Sequence, residues 1–145
     1  MRKDVPTTFL GKLYLKICLI VMLIGTVSVI YDEVNDLLNK QKILKTIETH
    51  IRVLRVKNIS AAYEFTSESF KKNTDIDSFT KFIEGNTCFF SNKRFRCISR
   101  KINKGLGYVY GYLVSAGDSE QKVTYQLIRE GKMWRISYIS LSDKL

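Results

Sequence analysis

Proton transfer near neutral pH is the work of an imidazole, or of carboxylates whose surroundings have moved their pKa. This chain of 145 residues holds one histidine, His50. It sits in a stretch patterned as a long helix, where a satisfied or solvent-facing ring is expected rather than a base. Asp75, Asp77 and Glu84 have the spacing of a helix cap and a solvated helix face. Metal chemistry fares no better. Cys18, Cys88 and Cys97 form no CxxC pair, and one histidine cannot complete a zinc set. The expectation is a protein without catalytic residues, metal ligands or cofactor.

Three other groups of residues stand out. Cys88 and Cys97 bracket the short segment CFFSNKRFRC, which a disulfide would close if this part of the chain is exported; two reduced, half-buried thiols are the alternative. Tyr108, Tyr110 and Tyr112 alternate along one strand-like run, with Tyr125, Trp134 and Tyr138 further on. Tyrosine favours strands, so core and sheet surface account for the set; an aromatic pocket or a protein-docking face is the functional reading. Lys93, Arg94, Arg96, Arg100, Lys101 and Lys104 form the densest charge cluster. A solvated strand face explains it, or a patch that meets an acidic partner or anionic lipid.

The elements that must carry these residues follow from periodicity. Residues 13–31, LYLKICLIVMLIGTVSVIY, have no charge after Lys16 and reach the roughly 20 residues that an apolar helix needs to cross a bilayer. A cleaved signal peptide would require a small-residue site after the apolar run, and Thr26-Val27-Ser28-Val29-Ile30-Tyr31 offers none. The stretch reads as a transmembrane helix behind a basic tail, residues 1–12. Residues 32–57 read as a helical stalk and first domain helix, with Val34, Leu37, Leu38, Leu44, Ile47, Ile51 and Leu54 at three- and four-residue steps.

Residues 58–145 are the rest of one domain. Ala61–Phe65 and Ser78–Ile83 read as short helices, the second capped by Asp75 or Asp77. From Phe89 the period becomes two. Turns at Lys104-Gly105, Ala116–Ser119 and Glu130–Lys132 then separate four strands. Helices first and an antiparallel meander after define an α+β domain: an N-terminal transmembrane helix, then helices, then a curved four-stranded sheet.

Basic residues precede the apolar stretch and Asp32, Glu33 and Asp36 follow it. The positive-inside rule then places the N-terminus in the cytoplasm and the domain on the far side of the membrane: the periplasm for a bacterial inner membrane, the preferred reading, or the lumen in a eukaryote. Nucleic acid is not an expected partner there, despite a net charge of +10.

The order of these pieces resembles the nuclear-transport-factor-2-like fold, also called the cystatin-like cone, over about residues 44–141. The resemblance rests on Asn58-Ile-Ser-Ala-Ala-Tyr63-Glu-Phe65-Thr-Ser67-Glu-Ser-Phe70, on the helix with Phe79 and Phe82, and on the ending Val123-Thr-Tyr125-Gln-Leu127 with Gly131-Lys-Met-Trp134-Arg-Ile136. Where such proteins usually have Gly-Asp before the second helix, this chain has Lys57-Asn58. Such folds host enzymes, binders and assembly modules alike. In layout the chain is similar to the bitopic inner-membrane components of type IV secretion systems. That likeness implies a non-enzymatic docking domain in a secretion or envelope assembly, with envelope proteins and possible further copies of the chain as partners. The other reading is a small-molecule or lipid-binding module that uses an aromatic-lined cone.

Overall fold

A computed structural model describes residues 9–142, with side chains from Gly11, and the chain divides into two compact units between Leu37 and Leu38. Residues 1–8 of the expected tail lie outside the described residues. The first helix, α1 (Phe9–Arg55), contributes to both units.

In the first unit α1 exposes its apolar side chains all round: Leu13, Leu15, Leu19, Met22, Ile24, Val27 and Ile30 are each open to the surroundings. Such a helix has no core to enter, and α1 is long and apolar enough to cross a membrane. Thr26 donates its hydroxyl to the Leu23 carbonyl at 2.9 Å, which satisfies that polar group within the helix.

In the second unit α1 turns one face inward. Ile43, Ile47, His50, Ile51 and Leu54 recur at helical spacing and are fully or almost fully buried. Burial of each such aliphatic side chain is worth about 1.5–3 kcal/mol. The helix ends where Lys57 takes the left-handed conformation, at φ 58°. The Lys57 amide then donates to Leu54 and the Asn58 amide to Val53, the paired bonds that close a helix C-terminus. Asn58 at once accepts from the Ala61 amide and caps α2 (Ile59–Tyr63). The Lys57-Asn58 pair thus supplies both the left-handed residue and the cap.

Three short helices follow. Ser67 caps α3 (Glu68–Asn73), Asp75 caps α4 (Ile76–Glu84), and α5 (Cys88–Ser91) leads into the sheet. Sequence periodicity finds α4 and its cap, but it does not delimit α3 and does not separate α5 from the first strand. Each is only one turn or so long, too short to show a period.

The four strands are β1 (Asn92–Asn103), β2 (Leu106–Ser115), β3 (Glu120–Glu130) and β4 (Met133–Ser142), antiparallel in the order β1-β2-β3-β4. The sheet is open, with β1 and β4 at its edges. Lys104 and Gly105, both at positive φ, make the tight turn between β1 and β2. Register puts Ile102, Gly107, Leu127 and Ile136 in one row, and Val109, Tyr125 and Ile139 in the next, all on the face that closes the core. Two glycines let neighbours come close. A Cβ at Gly107 would sit 3.3 Å from Ile43 of α1, and one at Gly111 would sit 2.5 Å from the Phe95 ring. At the β4 edge, Ile136 exchanges backbone hydrogen bonds with Phe65 and Ser67, so the α2–α3 connection covers that stretch.

Candidate functional site

Of the two expected placements of His50, satisfied or solvent-facing, the solvent-facing one does not hold: the ring lies inside the core. It is wholly buried, with its ring 5.8 Å from Tyr125, 6.3 Å from Phe79 and 6.4 Å from Phe65. The cause is its position on the inward stripe of α1, three residues after Ile47 and four before Leu54. Burial disfavours the charged imidazolium and pushes the pKa down to about 3. Nδ1 is 3.4 Å from the Tyr125 hydroxyl, whose own pKa burial raises, and Nε2 has no partner. A neutral ring sealed among aromatic side chains has no path for a proton to solvent.

The carboxylates are elsewhere and occupied with structure. Asp75 accepts from the Ser78 amide at 2.7 Å, and that bond holds its pKa below the ordinary carboxylate value. Asp77 and Glu84 are exposed on α4. Among the described residues no group of three His, Cys, Asp or Glu side chains is placed to hold a metal ion.

The aromatic set divides between the two faces of the sheet. Val109, Gly111 and Leu113 are buried on the inner face, so Tyr108, Tyr110 and Tyr112 fall on the outer one, where Tyr110 is exposed. Tyr138 joins that outer face, opposite Gln126 in the row of Tyr108, because an irregularity at Gln126/Leu127 shifts the register of β4. Tyr125 and Trp134 point the other way, into the core. A tyrosine-lined cone interior is therefore corrected to a tyrosine-bearing outer surface. The inner positions of β2 are taken by glycines and aliphatics because Ile43 of α1 packs against Gly107 and the Phe95 ring of β1 against Gly111.

Cys88 and Cys97 are free thiols, each half-buried, donating to the carbonyls of Asn86 and Ser99 respectively. Burial raises the pKa of both. Cys18 is also free, on the apolar part of α1.

The basic run maps onto an edge. Lys93, Arg94, Arg96 and Lys101 are exposed along β1, Arg100 is half-buried in the inner-face row of Val109, and Lys104 forms the following turn. Arg96 pairs with Glu120 and stacks its guanidinium 5.0 Å from the centre of the Tyr112 ring. The strand is also broken by a bulge at Ile98, between Cys97 and Ser99. Charges and a bulge on an edge strand prevent other strands from adding to it. That position accounts for the run without a ligand.

Tertiary structure assembles a different cationic group. One groove, of about 450 Å³, runs between α1 and β1, lined by Lys45, Glu48, Thr49, Ile51, Arg52, Arg55, Arg94 and Phe95. A second, of about 480 Å³, lies on the other flank of α1, lined by Lys42, Lys45, Thr46, Thr49, Phe65, Lys132, Met133, Trp134 and Arg135. Lys45 and Thr49 belong to both. Seven cations and one carboxylate line the pair, and of the sequence-defined basic run only Arg94 is among them. Buried Asn92 fixes one wall: it accepts from Arg55 at 2.9 Å and donates to the carbonyls of Cys88 and Phe89. The Arg135 guanidinium is held by the Glu64 carbonyl at 2.6 Å. No local sequence signal marks these grooves, because their cations come from α1, β1, the β3–β4 turn and β4. The one available sign was that Lys42, Lys45 and Arg52 fall on the polar side of the α1 stripe.

A domain of unknown function, DUF4864, matches residues 37–145. The chain belongs to that family. No curated protein matches it. The DUF4864 segment begins beside the boundary between the two compact units and contains every residue of both grooves, His50 and the whole sheet.

Proposed function

We propose that this DUF4864 protein is a single-pass inner-membrane protein whose exported domain is a non-enzymatic docking module of an envelope assembly, with a secretion apparatus as the expected kind of machine. The N-terminal stretch of α1 serves as anchor, the basic tail stays in the cytoplasm, and the domain stands in the periplasm. One observation carries the reading: the group best suited to acid–base work, His50, is sealed in a filled aromatic core, whereas the large concavities are open grooves on the outside. Open grooves with fixed side chains suit partner surfaces; a sealed neutral imidazole does not suit turnover. The likeness to the nuclear-transport-factor-2-like cone and to bitopic secretion components agrees with this layout.

The test is the size and composition of the protein extracted from native membranes in mild detergent. Migration well above its own mass of 16.8 kDa, with a fixed set of envelope proteins, is the expected result. A protein that always runs alone as a monomer would sink the reading.

A second reading is a small apolar ligand. It is favoured by a groove of about 240 Å³ lined by Phe70, Thr74, Phe79, Phe82, Tyr138 and Ile139. That volume is below the roughly 300–1,000 Å³ of ordinary ligand sites. Extraction of a stoichiometric lipid or metabolite from purified protein would promote it.

A further inference from the structure

Resting on the docking reading, we propose that the two grooves flanking α1 form one site, and that its occupant is an extended, acidic segment of a partner protein laid across the helix at Lys45 and Thr49. The two residues line both concavities, so the grooves are joined over a single turn of α1. Cations line the track from end to end: Arg94, Arg52 and Arg55 on one flank, Lys42, Lys132 and Arg135 on the other, with Lys45 between. Glu48 is the one acid.

Lys42, Lys45 and Lys132 are exposed and have no ion pair among the described residues. Arg55 and Arg135 are held in place by neutral acceptors, the Asn92 side chain and the Glu64 carbonyl, so their charge is not neutralised and their remaining donors are pre-positioned.

The shape selects among anions. Apolar side chains lie in each groove, Ile51 and Phe95 in one, Phe65, Met133 and Trp134 in the other. A chain that mixes carboxylates with apolar side chains satisfies both features. A single phosphate would use only a fraction of so long a track. A flat membrane surface cannot follow two concavities on opposite flanks of a ridge.

The experiment uses the full-length protein in nanodiscs of neutral phosphatidylcholine and a fluorescein-labelled peptide of Glu-Glu-Phe repeats, read by anisotropy. Saturable binding at one peptide per chain, weakened by salt, is expected. Reversing three groove charges, Lys42→Glu with Lys45→Glu and Lys132→Glu, should weaken it by about tenfold or more. The same charge change on the β1 edge and its turn, Lys93→Glu with Lys101→Glu and Lys104→Glu, should cost no more than about threefold. Circular dichroism checks folding, and should the triple groove variant misfold, Lys45→Glu alone on the exposed side of α1 is expected to weaken binding about threefold.

Equal losses in the two triple variants would overturn the site, since the attraction would then be diffuse. So would absence of peptide binding, or a groove-dependent preference for phosphatidylserine vesicles or a single-stranded oligonucleotide. In native membranes, companions lost only in the groove variant support the site. Companions retained there overturn it and leave the docking reading standing, whereas a wild-type protein with no companions at all removes the docking reading itself.

Discussion

The Tyr125 hydroxyl and Nδ1 of His50 lie 3.4 Å apart at the centre of the core, joining β3 to α1 across 75 residues of sequence. Both groups are fully buried, and the imidazole is neutral in the folded protein. In the unfolded chain His50 takes up a proton below its ordinary pKa of 6.5, while in the fold it does so only near 3. The unfolded state therefore binds more protons through that window. The His50 contribution to stability is complete above pH 6.5 and is lost as pH falls towards 3, at about 1.4 kcal/mol per pH unit. Denaturant titrations followed by fluorescence of the single tryptophan, Trp134, should show this acid limb. His50→Phe should remove about 2 kcal/mol of the stability difference between pH 6.5 and pH 5. An unchanged pH dependence in the variant would show that His50 does not carry it.

Gly111 is a second test of the packing. A methyl group there would meet the Phe95 ring at 2.5 Å and the Arg96 carbonyl oxygen, which is backbone, at 2.6 Å. The ring can shift but the carbonyl belongs to the paired strand, so Gly111→Ala should cost about 2–3 kcal/mol. Gly117, with nothing within 4 Å and no positive φ, should accept alanine within about 0.5 kcal/mol. Matching urea midpoints for the two variants would contradict the register between β1 and β2.

Lys57 adopts a left-handed conformation that side chains disfavour, to end α1. Lys57→Gly relieves that strain and should raise stability by about 0.5–1 kcal/mol, somewhat less if the 5.8 Å approach of its ammonium to the Phe90 ring is worth anything. A lowered melting temperature in thermal unfolding would refute the assignment of the cap.

On β1, the exposed lysines guard an open sheet edge. Lys93→Thr with Lys101→Thr should leave the fold intact but permit edge-to-edge pairing. Light scattering of the detergent-solubilised protein should then rise with concentration. A variant as monodisperse as the parent would mean that the Ile98 bulge suffices by itself.

Much of the architecture is readable from the sequence because it depends on periods. The apolar run of α1, the α4 cap at Asp75 and the alternation of β2 to β4 each repeat over enough residues to be recognised. What alternation does not specify is which face turns inward. Tyr108, Tyr110 and Tyr112 look more apolar than Gly107 and Gly111, yet the glycines are inside because Ile43 and Phe95 need their space. His50 is similar: its stripe is visible, but its burial depends on Tyr125 and Phe79, far along the chain. The basic run is legible as a cluster, and its meaning changes once β1 is seen to be an edge. Beyond Lys42, Lys45 and Arg52 on the polar side of α1, the cationic grooves are not legible, since residues near 45, 94 and 133 meet only in the folded domain.

The order in which the chain is synthesised gives α1 a further significance. Ile43, Ile47, His50, Ile51 and Leu54 are among the first residues of the domain to be made, but the strands that cover them come last. At ordinary synthesis speeds of about 5–20 residues per second, His50 waits about 4–15 s before Tyr125 exists. Through the first part of that interval, side chains of the short helices and the α2–α3 connection, among them Ala62, Phe65, Phe79 and Ile83, are all there is to cover the stripe. The core therefore closes only once the C-terminal strands exist, which makes its decisive contacts long-range ones.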